Sequence, residues 1–460
     1  MKKRNVSLSR LNDDIFVVKI FNDYLIYNPL RRVSALVKQE VIGSLKSGGS
    51  RLVLHNDQLD PFLCEMEVVP PQPPLGALDP DFLGILPTRD CNLKCVYCGF
   101  HDNVDQKEIM DLSLAVEAVD WMAALCADKN KEKLEVHFFG GEPFVAKEVV
   151  ETVVHRTRQQ AAKYGLRPLI QTSTNGYFDE HWCNFVGEYF DAVVISLDGF
   201  EDIQNRYRPL KSGQGSFATI IKNIQILSDL QVKICIRICT TEETVGDLVD
   251  ICTWICTTLR PSIINFESLK NTEESECFGL TPPDPFAYAK ACVEAMKIAK
   301  KHGVVSVYAA ASLENVQHSF CPVGKDVVIV SPNGRISGCY LIDNEWRERG
   351  MDMDFGRIDD RRGVRVDEAA VQRVRSYTET KPHCGCCIAR YHCAGGCHVT
   401  QSYPGCKEEF TDFCVQTRLI TICNLLIQLG LEDRVEVLLA DRAIMEEVAF
   451  QQSDLLREFL

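Results

Sequence analysis

At 460 residues the chain is too long for one compact core and suits two or three domains, and its 46% hydrophobic and 25% charged residues exclude a disordered polymer. A net charge of −14 argues against a duplex nucleic-acid binder. No apolar run is long enough for a membrane helix, and the stretch from Met1 to Asp14 lacks the apolar core of a signal peptide, so a cytoplasmic protein with neither nucleic-acid nor membrane partner is expected.

The anomaly is the cysteine content, 22 residues. In a cytosolic chain, clustered cysteines are metal ligands or redox centres more often than disulfides.

In chain order, residues 1–75 read as a small α+β module. Strands are expected over 14–20 and 24–27, joined by a turn at Asn22-Asp23. Val33, Leu36, Val37, Val41 and Leu45 then follow helical spacing. The proline-rich stretch from Val69 to Gly76 reads as a linker. Over residues 80–310, strands at 82–87, 134–139, 168–173, 191–196, 232–239 and 262–267 alternate with helices at 111–127, 144–163, 178–189, 216–230, 244–258 and 285–302. That alternation predicts an α/β fold with a parallel sheet, six units suiting a partial (β/α)6 barrel; a doubly wound sheet is the alternative on pattern alone. Residues 311–420 concentrate cysteine and glycine and have too few apolar runs for a full core, so a metal is the expected staple. Residues 421–460 return to helical patterning.

Directly after the first barrel strand comes Cys91-Asn92-Leu93-Lys94-Cys95-Val96-Tyr97-Cys98. Three thiolates on one loop can hold three irons of a 4Fe-4S cluster and leave the fourth open. A zinc site short of one ligand, or buried free thiols, would explain the spacing less economically. With Tyr97 before the third cysteine, the array resembles the radical S-adenosylmethionine (SAM) superfamily. In that family SAM chelates the open iron, and reductive cleavage yields a 5'-deoxyadenosyl radical.

The resemblance extends to Gly140-Gly141-Glu142-Pro143, which matches the motif that holds the SAM amino group, a glycine pair letting backbone approach the ligand. Ser173 and Asn175 after the third strand, and Ser196 and Asp198 after the fourth, match motifs near the ribose and carboxylate of SAM. Arg208 is the candidate for the SAM carboxylate because a guanidinium pairs with it in a fork, with Arg237 as competitor. Phe100 stands where the family often places an aromatic beneath the adenine.

Toward the C-terminus, Cys384, Cys387, Cys393 and Cys397 follow a Cx2Cx5Cx3C pattern, with Cys321 and Cys339 upstream and Cys414 downstream. The set resembles the SPASM domain of radical SAM maturases, which binds two auxiliary clusters. The resemblance implies that Cys321, Cys339 and Cys397 hold the first, and Cys384, Cys387, Cys393 and Cys414 the second, with Cys406 as alternative to Cys414. A pair of zinc knuckles is the competing reading. His383 and His392 are expected to be solvated loop residues. No cysteine lies between Cys321 and Cys339, so an open iron is expected on the first auxiliary cluster unless Cys386 or Cys406 supplies a ligand.

The expectation is therefore a peptide maturase with three 4Fe-4S clusters and SAM, forming a thioether or carbon–carbon crosslink in a ribosomally made precursor peptide. The resemblance implies an electron donor such as flavodoxin or ferredoxin, and residues 1–75 as a winged-helix-like binder of a leader peptide. The enzyme alternative is an anaerobic sulfatase maturase, which forms formylglycine and places Asp after the second cysteine of the Gly-x4-Cys unit; here Tyr340 follows Cys339, and Asp343 lies nearby. A phenol is a poor base at neutral pH. The alternative from another class is a zinc-binding interaction protein.

Overall fold

The computed structural model describes residues 14–41, 62, 68–100, 108–321, 323, 325–341, 346–348, 350–359, 363–377, 384–397, 410–451 and 454–455. Seven parallel strands stand side by side in chain order: β4 (Leu83–Ile85), β5 (Lys133–Phe138), β6 (Arg167–Thr174), β7 (Ala192–Ser196), β8 (Lys233–Thr240), β9 (Ile263–Ser268) and β10 (Val305–Val307). The crossover helices include α1 (Leu112–Asp128), α2 (Lys147–Tyr164), α3 (Glu180–Tyr189), α4 (Glu201–Tyr207), α5 (Phe217–Asp229), α6 (Leu248–Trp254), the short α7 (Glu273–Cys277) and α8 (Pro285–Lys301). This is the expected partial barrel, with β10 as a seventh strand that the sequence pattern did not disclose.

Alternation along each strand decides what faces the interior. In β8, Ile234, Ile236 and Ile238 are fully buried, while Cys235, Arg237 and Cys239 between them take the opposite face. In β9 the same rule buries Ile264 and Phe266 and turns Asn265 and Glu267 the other way, in register with Arg237 and Cys239. Helix starts are fixed by side chains, as where Asp284 accepts hydrogen bonds from the backbone of Phe286 and Ala287 ahead of Pro285.

The cysteine-rich region has more regular structure than expected. β11 (Val328–Val330) pairs in parallel with β4, and β12 (Arg335–Ser337), β13 (Asp354–Asp359) and β14 (Gly363–Val366) continue the sheet in antiparallel fashion. β11, β12 and β14 are short, and six-residue β13 carries only Phe355 and Ile358 as apolar residues, three apart, so neither length nor alternation marked these strands. Helices α9 (Glu368–Ser376), α10 (Arg390–Cys393), α11 (Asp412–Gln428), α12 (Glu432–Ala440) and α13 (Arg442–Phe450) complete the chain. α11 is buried around most of its girth and packs against α8.

At the N-terminus, β1 (Phe16–Ile20) and β2 (Asp23–Asn28) form as expected. The first six residues of the helix expected from Val33 onward instead form a strand, β3 (Val33–Lys38), and helix begins only at Gln39, the rest of the expected helix lying outside the described residues. The spacing of Val33, Leu36 and Val37 suits either form; pairing with all six residues of β2 decides it, closed by an ion pair of Lys38 with Asp23 at 3.1 Å. The C-terminal β15 (Asp454–Leu455) pairs with β1, giving the order β15-β1-β2-β3. Among the described residues, no helix is long and apolar enough to cross a membrane.

Candidate active site

The loop from Cys91 to Cys98 is pinned across the barrel mouth by backbone bonds from Lys94 N–H to the Pro209 carbonyl (2.8 Å) and from Val96 N–H to that of Tyr207 (2.9 Å). Cys91 and Cys95 are buried and Cys98 half-buried. The Cys91 thiol accepts from the Leu93 N–H at 3.4 Å and from the Asn175 amide at 3.5 Å. Burial pushes Cys91 and Cys95 up to about 12 and Cys98 to about 11, so the thiols keep their protons at neutral pH until a metal takes their place.

Gly140 and Gly141 both line the cavity beside the cysteine loop, and they have a packing role besides. A Cβ on Gly141 would lie 2.2 Å from the Asp90 carbonyl oxygen, and one on Gly140, whose φ is +131°, 2.5 Å from that of Thr88. The pair lets the turn after β5 dock on the strand that leads into the cysteine loop, through bonds from Gly141 N–H to Thr88 (3.1 Å) and from Glu142 N–H to Asp90 (2.8 Å). Glu142 is fully buried, and its carboxylate accepts from the Asn175 N–H (2.7 Å), the Thr174 hydroxyl (2.8 Å) and the Phe144 N–H (3.2 Å). Burial still pushes its carboxyl up to about 7. Pro143 is buried at the start of a short 3-10 turn.

Cys91, Cys95, Cys98, Gly140 and Gly141 line this cavity of about 370 Å³ together with Phe100, Ser173, Asn175, Ser196, Asp198, Arg208 and Arg237, while Glu142 and Pro143 sit behind its wall. Tyr97 donates its hydroxyl hydrogen to Asp198 and accepts from Arg208 at 2.8 Å. Asp198 also accepts the Cys239 N–H at 3.1 Å, tying the ends of β7 and β8. The Nε atoms of Arg208 and Arg237 are buried and find no partner among the described residues, and both side chains line the cavity as competitors for an anionic ligand. Phe100 lies edge-on to Phe139, centroids 5.8 Å apart.

A second cavity, of about 490 Å³, is lined by Cys321, Cys339 and Cys397 together with Tyr340, Phe320, Phe413 and Gln416. Its wall toward the first cavity is common to both: Glu267, Ser268, Leu269, Lys270 and Leu341. Burial pushes the Tyr340 phenol up, and its ring packs on Phe139 at 4.8 Å with the hydroxyl over Gly84, so it is no base at neutral pH. Asp343, Cys406, His383 and Cys64 lie outside the described residues.

Cys384 and Cys387 are buried on the turn before α10, Cys393 ends α10, and Cys414 lies in the first turn of α11. One turn beyond Cys414, Arg418 is fully buried and donates to the Cys387 thiol at 3.3 Å. His392 is no solvated loop residue. It is fully buried between Tyr27 and the Asn315 carbonyl, because the N-terminal sheet covers α10.

The residues fit the groups that the cysteine pattern implies. Three thiols face a cavity with two unpartnered guanidinium nitrogens, suited to a cluster carrying an anionic, amine-bearing ligand; three more thiols face the adjoining cavity. Sequence reading missed Glu267, Cys239 and Phe139. Glu267 closes a strand whose expected end was residue 267, the same strand-end position that singled out Ser173 and Ser196.

Residues 85–255 match the radical SAM superfamily. An uncharacterized protein of Methanocaldococcus jannaschii is 24% identical over 257 residues, 56% of this chain and 83% of that protein. A cysteine-type anaerobic sulfatase-maturating enzyme of Clostridium novyi is 29% identical over 154 residues, 32% of this chain, and the match spans 40% of that enzyme's length. The solved structure of native anSMEcpe with bound AdoMet and Cp18Cys peptide superposes with a TM-score of 0.60 at 19% identity, over 77% of this chain and 99% of that one, a likeness of fold.

Proposed function

We propose that this chain uses its radical SAM domain, matched over residues 85–255, to oxidise a peptide, forming a thioether or carbon–carbon crosslink in a ribosomally made precursor. The observation that carries this reading is the shared wall: a cavity with Cys91, Cys95 and Cys98 adjoins one with Cys321, Cys339 and Cys397 through five common residues. A peptide segment lying across that wall would reach both cysteine sets at once.

In this reading Cys91, Cys95 and Cys98 hold a 4Fe-4S cluster, Cys321, Cys339 and Cys397 a second, and Cys384, Cys387, Cys393 and Cys414 a third. SAM bound to the first supplies, on one-electron reduction, a 5'-deoxyadenosyl radical that removes a substrate hydrogen. The protein's part is positioning. Glu142, braced by Thr174 and Asn175, faces the amino group, and Arg208, braced by Tyr97, pairs with the carboxylate. Ser173, Ser196 and Phe100 bound the adenosine. Residues 80–310 would form the radical domain, 311–420 the auxiliary domain, and 421–460 a C-terminal helical segment. Residues 1–75 offer the outer edge of β3, unpaired among the described residues, for strand addition by a leader peptide. A flavodoxin or ferredoxin supplies electrons.

The test is anaerobic reconstitution with iron and sulfide, then incubation with SAM, dithionite and peptides encoded beside the gene. 5'-Deoxyadenosine together with a product lacking two hydrogens supports the proposal; deoxyadenosine without any peptide product refutes it. The second reading, sulfatase maturation, is favoured by the likeness to the Clostridium novyi enzyme, and conversion of a sulfatase-motif cysteine to an aldehyde would establish it.

A further inference from the structure

Of the five residues common to both cavities, Glu267 is the carboxylate. It stands at the carboxyl end of β9, opposite Cys239 of β8. One of its oxygens accepts from the Asn265 amide at 3.2 Å, and the other takes no hydrogen bond among the described residues. Two residues back on the same face, Asn265 Oδ1 and the Nε of its register partner Arg237 are buried and find no partner among the described residues, so this side of the barrel is polar. The other carboxylates at the two cavities are placed differently. Asp198 is held by Tyr97 and the Cys239 N–H, and Asp412 begins α11 on the far side of the second cavity. Tyr340, which follows Cys339, keeps its proton.

We propose that Glu267 accepts the proton released when the peptide is oxidised. The chemistry demands such an acceptor. Making a carbon–sulfur bond from a C–H and a cysteine S–H breaks both bonds to hydrogen. The C–H hydrogen leaves as an atom to the adenosyl radical, the S–H proton passes to Glu267, and the one remaining electron passes to an oxidised iron–sulfur cluster. A carboxylate on the wall between the two cysteine sets collects that proton beside the reacting carbon. The inference rests on the peptide-oxidation reading, and it puts the base on a barrel strand instead of on the loop after Cys339.

The test uses the full-length reconstituted protein with two uniformly deuterated probes, a cysteine-type sulfatase-motif peptide and the short peptide encoded beside the gene. Glu267→Gln is expected to lower product formation by about 100-fold or more. Deuterium should still pass from peptide to 5'-deoxyadenosine, and the peptide Kd from calorimetry should change by less than about threefold. Product at the wild-type rate overturns the proposal; so does loss of deuterium transfer along with product, because Glu267 would then act before hydrogen abstraction. If Glu267→Gln loses iron relative to wild type, Glu267→Ala carries the test: added formate should restore product, and no restoration overturns the proposal. A wild-type protein that modifies neither peptide counts against the peptide-oxidation reading itself, and this inference falls with it.

Discussion

The Tyr27 hydroxyl lies 2.7 Å from Nε2 of His392, the residue before Cys393. Burial holds the imidazole neutral, and its Nδ1 donates to the Asn315 carbonyl at 2.8 Å, which leaves Nε2 to accept from Tyr27. Beside this pair the Tyr391 hydroxyl donates to the Asp14 carboxylate. The N-terminal sheet is thereby fastened to α10, the short helix that ends at Cys393.

Tyr27→Phe would leave a buried ring nitrogen without its donor. The expected cost is about 1–3 kcal/mol of stability, read from urea unfolding of the reconstituted protein, with SAM cleavage retained. An unfolding curve that coincides with wild type would show that the contact carries no stability.

Gly141→Ala meets the Asp90 and Arg89 carbonyl oxygens at 2.2 and 2.4 Å, both backbone atoms that no side-chain rotation can move. Since Asp90 precedes Cys91, relief of the clash displaces the first cysteine. A loss of at least about 2 kcal/mol and of most 5'-deoxyadenosine formation is expected. Full SAM cleavage by this variant would show that the loop tolerates the shift.

Most of the barrel was legible in the sequence because its longer strands and helices show their own periods, whereas the three-residue β10 and the short α4 and α7 do not. β8, for one, runs Lys-Ile-Cys-Ile-Arg-Ile-Cys-Thr, a plain alternation. The cysteine loops were legible because ligand spacing is local. What stayed hidden depends on partners distant in sequence. Val33–Lys38 is a strand because β2 lies beside it, and β11 joins β4 across more than two hundred residues. Arg418, on a helix whose pattern looked merely apolar, meets Cys387 through folding alone.

Arg418 donates to the Cys387 thiol and to the backbone carbonyls of Ala449 (2.8 Å) and Gln451, with its guanidinium 4.4 Å from the Phe410 ring centre. Arg418→Met keeps most of the volume and removes all three donors from a fully buried position. At least about 3 kcal/mol should be lost. Iron per chain should fall while the Cys91 loop still supports 5'-deoxyadenosine formation, because the loss is confined to the C-terminal cysteines. Unchanged iron content would separate Arg418 from any iron that Cys387 holds.

Glu142 sets a pH dependence whose sign follows from its burial. Its folded pKa of about 7 lies above the ordinary 4.5 of a glutamic acid, because desolvation outweighs the three donors around it. The folded protein therefore binds this proton more tightly than the unfolded chain does. Its contribution is fully present below about pH 4.5 and is lost as pH rises through about 7, amounting to about 3 kcal/mol for a shift of this size. Glu142→Gln has no proton to lose and should flatten the fall in urea midpoint between about pH 5 and about pH 8. SAM binding, if Glu142 faces its ammonium group, should oppose the effect by favouring the ionised carboxylate. Wild-type affinity for SAM should then tighten as pH rises through about 7, while that of Glu142→Gln stays level. Parallel affinity profiles for the two proteins would remove Glu142 from the ligand's amino end and leave it the structural task of bracing Thr174 and Asn175.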